Sequence, residues 1–180
     1  MAARTKGLDT SQLRYLARHD RRLAPHFLGV FPADRLPTVF SRPAGLIVNS
    51  DRSREPGTHW LAMYFGDDEQ DEFFDSYGQL PPAYQASWTA RLRPGYRHNT
   101  RTLQGPRTTV CGHYCYYYLA QRFRGKSLGA IVNTFPGPPA LNDRLVCHWV
   151  TRTPQVRRMP QRSQYCQTSV CRQHRRGCSQ

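Results

Sequence analysis

The stretch Leu103–Phe123, LQGPRTTVCGHYCYYYLAQRF, decides how this chain of 180 residues is read. It opens on Gln104 and a Gly-Pro turn, passes two threonines able to cap a helix, and becomes apolar at Cys111. Cys111, Cys115, Leu119 and Phe123 recur every four residues, the helical period, and Gly125 stands where a helix stop is expected. The pattern predicts an apolar helix with Cys111 in its first turn. There, unpaired backbone N–H groups and the positive end of the helix dipole favour thiolate over thiol. Gly112 is expected to keep the approach to sulfur open, and the N–H groups of Cys111 and Gly112 to bind a developing oxyanion. A small buried residue at a helix start would look the same. The reading as a nucleophile therefore depends on partners.

A cysteine nucleophile needs a base, and the base an orienting group, both brought from elsewhere in the chain. THWLAMYFG supplies His59 at the start of an apolar run, and DEFFDSYG supplies Asp75 at the end of another. Leu61–Phe65 and Glu72–Phe74 read as two short strands joined by the acidic loop GDDEQD. Antiparallel strands so joined bring a residue at the start of the first close to one at the end of the second. His19, His26, His98, His113 and His148 are also present. Only His59 combines a strand position with an acid at the end of the next strand. His148-Trp149 repeats the His59-Trp60 pair but has no acidic follower, and is set aside as base.

In this order, HFLGVF, GLIVNS, His59-Trp60, FFDSYG, LQG and CGHYC resemble the adenovirus protease family (adenain), with the adenain-like proteases of virus-like DNA transposons. The likeness covers roughly Ala24 to Thr134. It implies an α+β fold of the adenain and ubiquitin-like-protease type, a central mixed sheet with the nucleophile at the N-terminus of a buried helix. Carried across position by position, it makes His59 the base, Asp75 the acid, Gln104 the oxyanion-hole glutamine and Cys111 the nucleophile. The adenoviral enzymes carry glutamate where Asp75 stands, so here the chain follows the related SUMO-specific proteases instead. The adenoviral enzyme also uses a cysteine upstream of its glutamine to hold an activating peptide by a disulfide. Residues 90–103 contain none, so that mode of activation is not expected.

The rest of the chain frames this site. With 38% hydrophobic residues there is enough chain for one α/β core and a tail. Residues 1–150 are read as the catalytic domain and 151–180 as a disordered basic arm. No run of about 18 apolar residues occurs, and MAARTKGLDT lacks the apolar core of a signal peptide. A protein that is neither membrane-bound nor secreted is expected, with reduced thiols despite six cysteines. Asp9-Thr10-Ser11 starts a helix with Leu13, Leu16 and Ala17 on its apolar face. Residues 27–48, broken by Pro32, Pro37 and Pro43, read as loops with short strands. Tyr84, Trp88 and Leu92 are spaced for a helix packed on the sheet, SLGAIVNTF reads as another, and LVCHWV as a helix or strand. Asp67 to Glu72 read as a solvated acidic loop or a clamp for the basic arm.

The arm itself holds Arg152, Arg157, Arg158, Arg162, Arg172, Arg175 and Arg176 and no acid, in a chain of formal charge +14. Phosphates would attract that density of charge without regard to sequence, though an acidic partner or an import signal would account for it as well. Cys166, Cys171, His174 and Cys178 match none of the usual zinc spacings, so no metal is expected.

Together these expectations describe a monomeric cysteine endopeptidase that needs no cofactor for its chemistry. The resemblance implies processing of viral or transposon capsid and core precursors in the host nucleus or the virion, cleavage after small glycine-containing residues, and DNA as activator. Two alternatives stand beside it: a protease of ubiquitin-like modifiers, and a DNA-binding structural protein that keeps the fold without activity.

Overall fold

A computed structural model describes residues 7–68 and 70–159. The elements that carry the site are β-strands, and they explain themselves by alternation. Strand β1 spans Phe27–Phe31, β2 Ala44–Asn49, β3 Trp60–Phe65, β4 Asp71–Phe74 and β5 Arg97–His98. They lie in chain order in one sheet, β1 parallel to β2, β2 to β4 an antiparallel meander, and β5 parallel to β4. Successive side chains point to opposite faces. Ile47, Ala62, Tyr64 and Phe74 enter one apolar cluster, while Leu46, Val48, Leu61, Met63, Phe65 and Phe73 enter the other. Every residue of β2 is buried, as its unbroken run of apolar residues requires of a strand covered on both faces.

The first face is covered by helices. Helix α1, Thr10–His19, starts at Asp9 with a reciprocal capping box to Gln12 and buries Leu13, Leu16 and Ala17, as the sequence predicts. Helix α2, Cys111–Arg122, is buried from Cys111 through Gln121 and lies across β3. So many tyrosines can be buried there because each internal hydroxyl finds an acceptor: Tyr114 on Asp143 (3.0 Å), Tyr116 on Asp20 (3.3 Å) and Tyr118 on Glu72 (2.6 Å). Gly125, at φ +86°, ends the helix in the left-handed conformation that glycine adopts without penalty. Helices α3, Leu128–Asn133, and α4, Pro139–Arg152, complete this layer.

The second face departs from expectation. Residues 84–92 do not form an α-helix; two 3₁₀ segments, Pro81–Ala83 and Ala86–Arg91, take their place. Trp88 and Leu92 are nonetheless buried against the sheet, with the Trp88 indole donating to the Ala33 carbonyl at 3.1 Å. The long-range indole bond holds this segment against residue 33.

The acidic run also divides. Asp67 and Asp68 are exposed, but Asp71 and Glu72 are buried in β4, Asp71 against Arg42 and Glu72 against Arg122 at 3.0 Å. These two are internal counter-ions, neither a solvated loop nor a clamp for the arm. Helix α4 runs past residue 150 to Arg152, and Val156 and Met159 pack on the core, so the folded part reaches at least to residue 159. Among the described residues no helix is long and apolar enough to cross a membrane.

Candidate active site

The β3–β4 pairing carries the first half of the site. Ala62 pairs with Phe74; one more step of that register sets Asp75 opposite Leu61 and diagonal to His59, within reach of a long side chain. His59 Nε2 lies 2.7 Å from Asp75 Oδ1. The same carboxylate oxygen accepts the Tyr77 N–H at 3.0 Å, and Oδ2 accepts the Gln79 N–H at 2.9 Å and the Tyr84 hydroxyl at 2.8 Å. The Asp75 backbone is clamped in both directions by Asn99, which accepts from Asp75 N–H at 3.0 Å and donates to its carbonyl at 2.6 Å.

Burial alone would raise the Asp75 pKa, but the His59 hydrogen bond and charge and the two backbone N–H groups outweigh it and hold the carboxyl below its usual 3.8. For His59, burial pulls the pKa down, and hydrogen bonds and charge from Asp75 and Cys111 overcome it, lifting it from 6.5 to about 9. Because Asp75 occupies Nε2, Nδ1 is the ring nitrogen left for Cys111, whose thiol adds to the rise in the His59 pKa.

Helix α2 supplies the second half. Cys111 is its first residue and 6% exposed. Thr108 and Thr109 do not cap the helix; its N-cap is Val110, which offers no side-chain acceptor. Thr108 instead turns its hydroxyl back to the Gly105 carbonyl at 3.0 Å. The N-cap residue makes no side-chain cap bond, and the His113 N–H in the first turn already donates to the Val110 carbonyl at 2.9 Å. Gly112 also serves packing: a Cβ there would stand 3.2 to 3.3 Å from Trp60, Leu13 and Leu8, so glycine lets α2 close on β3, α1 and the segment before it.

Gln104 is 1% exposed. Its Oε1 accepts the Ser76 hydroxyl at 2.7 Å and its Nε2 donates to the Thr108 carbonyl at 2.9 Å. The segment around it is tied to α2 and α4. Tyr114 and Asn142 donate to the Leu103 carbonyl at 3.2 and 3.3 Å, and Asp143 Oδ2 accepts the Gly105 N–H at 3.2 Å.

The structure thus hydrogen-bonds His59 to Asp75, sets Cys111 near enough to influence His59, and fixes Gln104 in the loop that leads to Cys111. The other histidines stand apart. His113 is buried inside α2, where burial lowers its pKa to about 4. His19 and His26 bond to carbonyls, and His148 lies exposed on α4. Among the described residues only His59 pairs with a carboxylate. Ser76, Tyr84, Asn99 and Asp143 are supporting residues that sequence reasoning missed. Ser76 alone had a signal, its place next to Asp75.

Arg152 and Arg158 are exposed at the end of the folded part, and Arg157 falls in the turn Val156–Arg158. Arg162, Arg172, Arg175 and Arg176, with Cys166, Cys171, His174 and Cys178, lie outside the described residues. Among the described residues no group of three or more His, Cys, Asp or Glu is placed to hold a metal ion.

A thiol at an uncapped helix start, an imidazole beside it and a buried carboxylate behind the imidazole form the arrangement a cysteine hydrolase requires. The comparisons agree with that class. The chain is similar in sequence to viral proteases. It is 30% identical to the protease of bovine adenovirus 2 over 129 residues, 63% of this chain and 62% of that one. It is 29% identical to cysteine protease S273R of an African swine fever virus tick isolate from Malawi over 102 residues, 50% of this chain and 37% of that one. The matches thus span under two thirds of either relative's length. No protein-family model matches. The fold is shared with the central domain of the uncharacterized Lpg1148 protein from Legionella pneumophila, at TM-score 0.50 and 13% identity over 82% of this chain and 98% of that one.

Proposed function

We propose that the chain is a cysteine endopeptidase acting through Cys111, His59 and Asp75. The observation that carries the reading is the Nε2 bond from His59 to Asp75, which leaves Nδ1 to Cys111. His59 takes the thiol proton of Cys111. Cys111 Sγ attacks the scissile carbonyl, and the oxyanion takes N–H donors from the first turn of α2 and from Gln104. His59 then gives its proton to the leaving amine, and the acyl-enzyme forms. Water enters, His59 removes its proton, and hydrolysis returns the thiol. Asp75 keeps the ring in place and its charge stabilises the imidazolium.

Within this class we favour processing of capsid or core precursors at small, glycine-containing sites, in the host nucleus or the virion, by a monomer assisted by DNA. Support comes from the adenoviral relative and from the basic arm. A panel of glycine-type precursor peptides and ubiquitin-like fusions tests it, with Cys111→Ala as the blank. Cleavage of the peptides is expected; cleavage of the fusions alone overturns precursor processing and favours a modifier protease. DNA assistance is tested by duplex affinity across salt. Replacing Arg162, Arg172, Arg175 and Arg176 by Gln in the full chain should flatten the slope of log K against log salt by up to about 3.6, at roughly 0.9 per phosphate contact. An unchanged slope removes these residues from DNA binding.

A further inference from the structure

No step above uses the Ser76 hydroxyl, which is fully buried in the turn after β4. The residue touches the site at two levels. Its carbonyl accepts the Leu103 N–H at 2.8 Å and the Gln104 N–H at 3.1 Å, which fixes the backbone of the loop. Its Oγ lies 2.7 Å from Gln104 Oε1, which fixes the side chain. A carboxamide fits its space in either of two flips, and a hydroxyl, being donor and acceptor, tolerates both. The partner on the other side does not. The Thr108 carbonyl only accepts, so it must face Nε2, and Oε1 must then receive the hydroxyl proton of Ser76. Together the two partners leave one orientation of the amide. One of the two Nε2 hydrogens goes to Thr108, and the other remains.

We propose that Ser76 is a positioning residue: with the flip set by Thr108, its hydroxyl anchors Oε1 and holds the plane of the Gln104 carboxamide so that the remaining N–H is presented to the oxyanion formed by attack of Cys111. The role rests on the peptidase reading above. Without the Oγ donor Oε1 loses its anchor, the amide rotates about its bond to Thr108, and the remaining N–H no longer points at the developing negative charge. The loss then falls on turnover and not on substrate binding, since the N–H matters where charge develops.

The test is a kinetic cycle on the full chain with wild type, Ser76→Ala, Gln104→Ala and the double variant, each checked by thermal melting and by alkylation of Cys111 with iodoacetamide. That displacement develops no oxyanion on a carbonyl. Ser76→Ala should lower kcat about tenfold with KM and the alkylation rate nearly unchanged, in keeping with loss of one hydrogen bond to the donor. In the Gln104→Ala background it should cost nothing further. Losses that multiply, a change confined to KM, or alkylation slowed in parallel with turnover each overturn the role. Should Ser76→Ala fail to fold, Ser76→Cys keeps a side chain of similar size with a weak donor, and it must also show the kcat loss. Peptide turnover by wild type with an unchanged kcat in the variants sinks this inference alone. No wild-type turnover at all sinks the peptidase reading and the inference with it.

Discussion

The two halves of the site are built by different means. His59 and Asp75 come from a hairpin whose geometry is local: two adjacent strands, a short loop, and a carboxylate satisfied largely by N–H groups two and four residues on. Gln104 comes from an irregular segment held by residues far away in sequence: Ser76, Tyr114, Asn142 and Asp143. A strand pair needs only its register to place a side chain, whereas a loop needs a partner for each backbone group it buries. Damage to the hairpin half should therefore appear as lost chemistry. Damage to the loop half should be shared between chemistry and stability.

The largest effect is expected where the two halves meet. Cys111→Ala should abolish turnover and thiol labelling, while Cys115→Ala, buried one turn on, should keep labelling at Cys111. On the hairpin side, Asp75→Asn should lower kcat by roughly 10³- to 10⁴-fold, because an amide presents the ring with neither the charge nor a defined acceptor. Retention of more than a tenth of wild-type kcat would remove Asp75 from the machinery. On the loop side, Gln104→Ala should lower kcat by roughly 10²- to 10³-fold with KM little changed. A purely raised KM would make Gln104 a substrate contact and erase the parallel between the halves.

This contrast also explains what was legible in the sequence. His59 and Asp75 can be read because strand period and loop length dictate proximity, and Cys111 because four-residue spacing fixes the helix start. The start of α1 at Asp9-Thr10-Ser11 was legible in the same way, while the return bond from Gln12 was found only in the structure. Tyr84 was legible only as an apolar side chain; its hydroxyl on Asp75 depends on the 3₁₀ path of residues 81–91, set by the Trp88 bond to Ala33. Asp71 and Glu72 look like solvent charges until Arg42 and Arg122 are known to face them. The packing role of Gly112 carries no local signal either, since its neighbours Leu13, Trp60 and Leu8 come from α1, β3 and the segment before α1. Long-range partners carry no local signal.

Titration sharpens the hairpin side. His59 is raised from 6.5 to about 9, so its protonated form contributes stability that is complete below about 6.5 and fades as pH rises through about 9. Asp75 is lowered from 3.8, so its contribution is present above that value and fades as pH falls through the lower folded value. The pH profile of kcat/KM should accordingly hold its activity into mildly alkaline solution, with a falling limb near 9. In His59→Gln the melting temperature should lose the corresponding decline between about 6.5 and 9. A falling limb near 6.5 in the wild type would mean that the pair does not hold its proton as the geometry demands.

The smallest effect is expected from Asp143→Ala, which touches the loop half alone. Asp143 sits on α4, 7% exposed, and accepts the Gly105 N–H at 3.2 Å and the Tyr114 hydroxyl at 3.0 Å. Removing it leaves a buried N–H without its acceptor, while the Tyr114 hydroxyl still has the Leu103 carbonyl at 3.2 Å. An unsatisfied buried donor costs about 1–3 kcal/mol, and with one of the two groups retaining a partner the loss should lie toward the lower end. Asn142 and Ser76 continue to hold Leu103 and Gln104 from either side, so the loop should loosen without leaving its place. The expected result is a lower melting temperature and faster tryptic cleavage after the exposed Arg107, with kcat reduced less than in Gln104→Ala. A kcat loss as large as that of Gln104→Ala, at unchanged stability, would place Asp143 with the hairpin residues and end the distinction between the two halves.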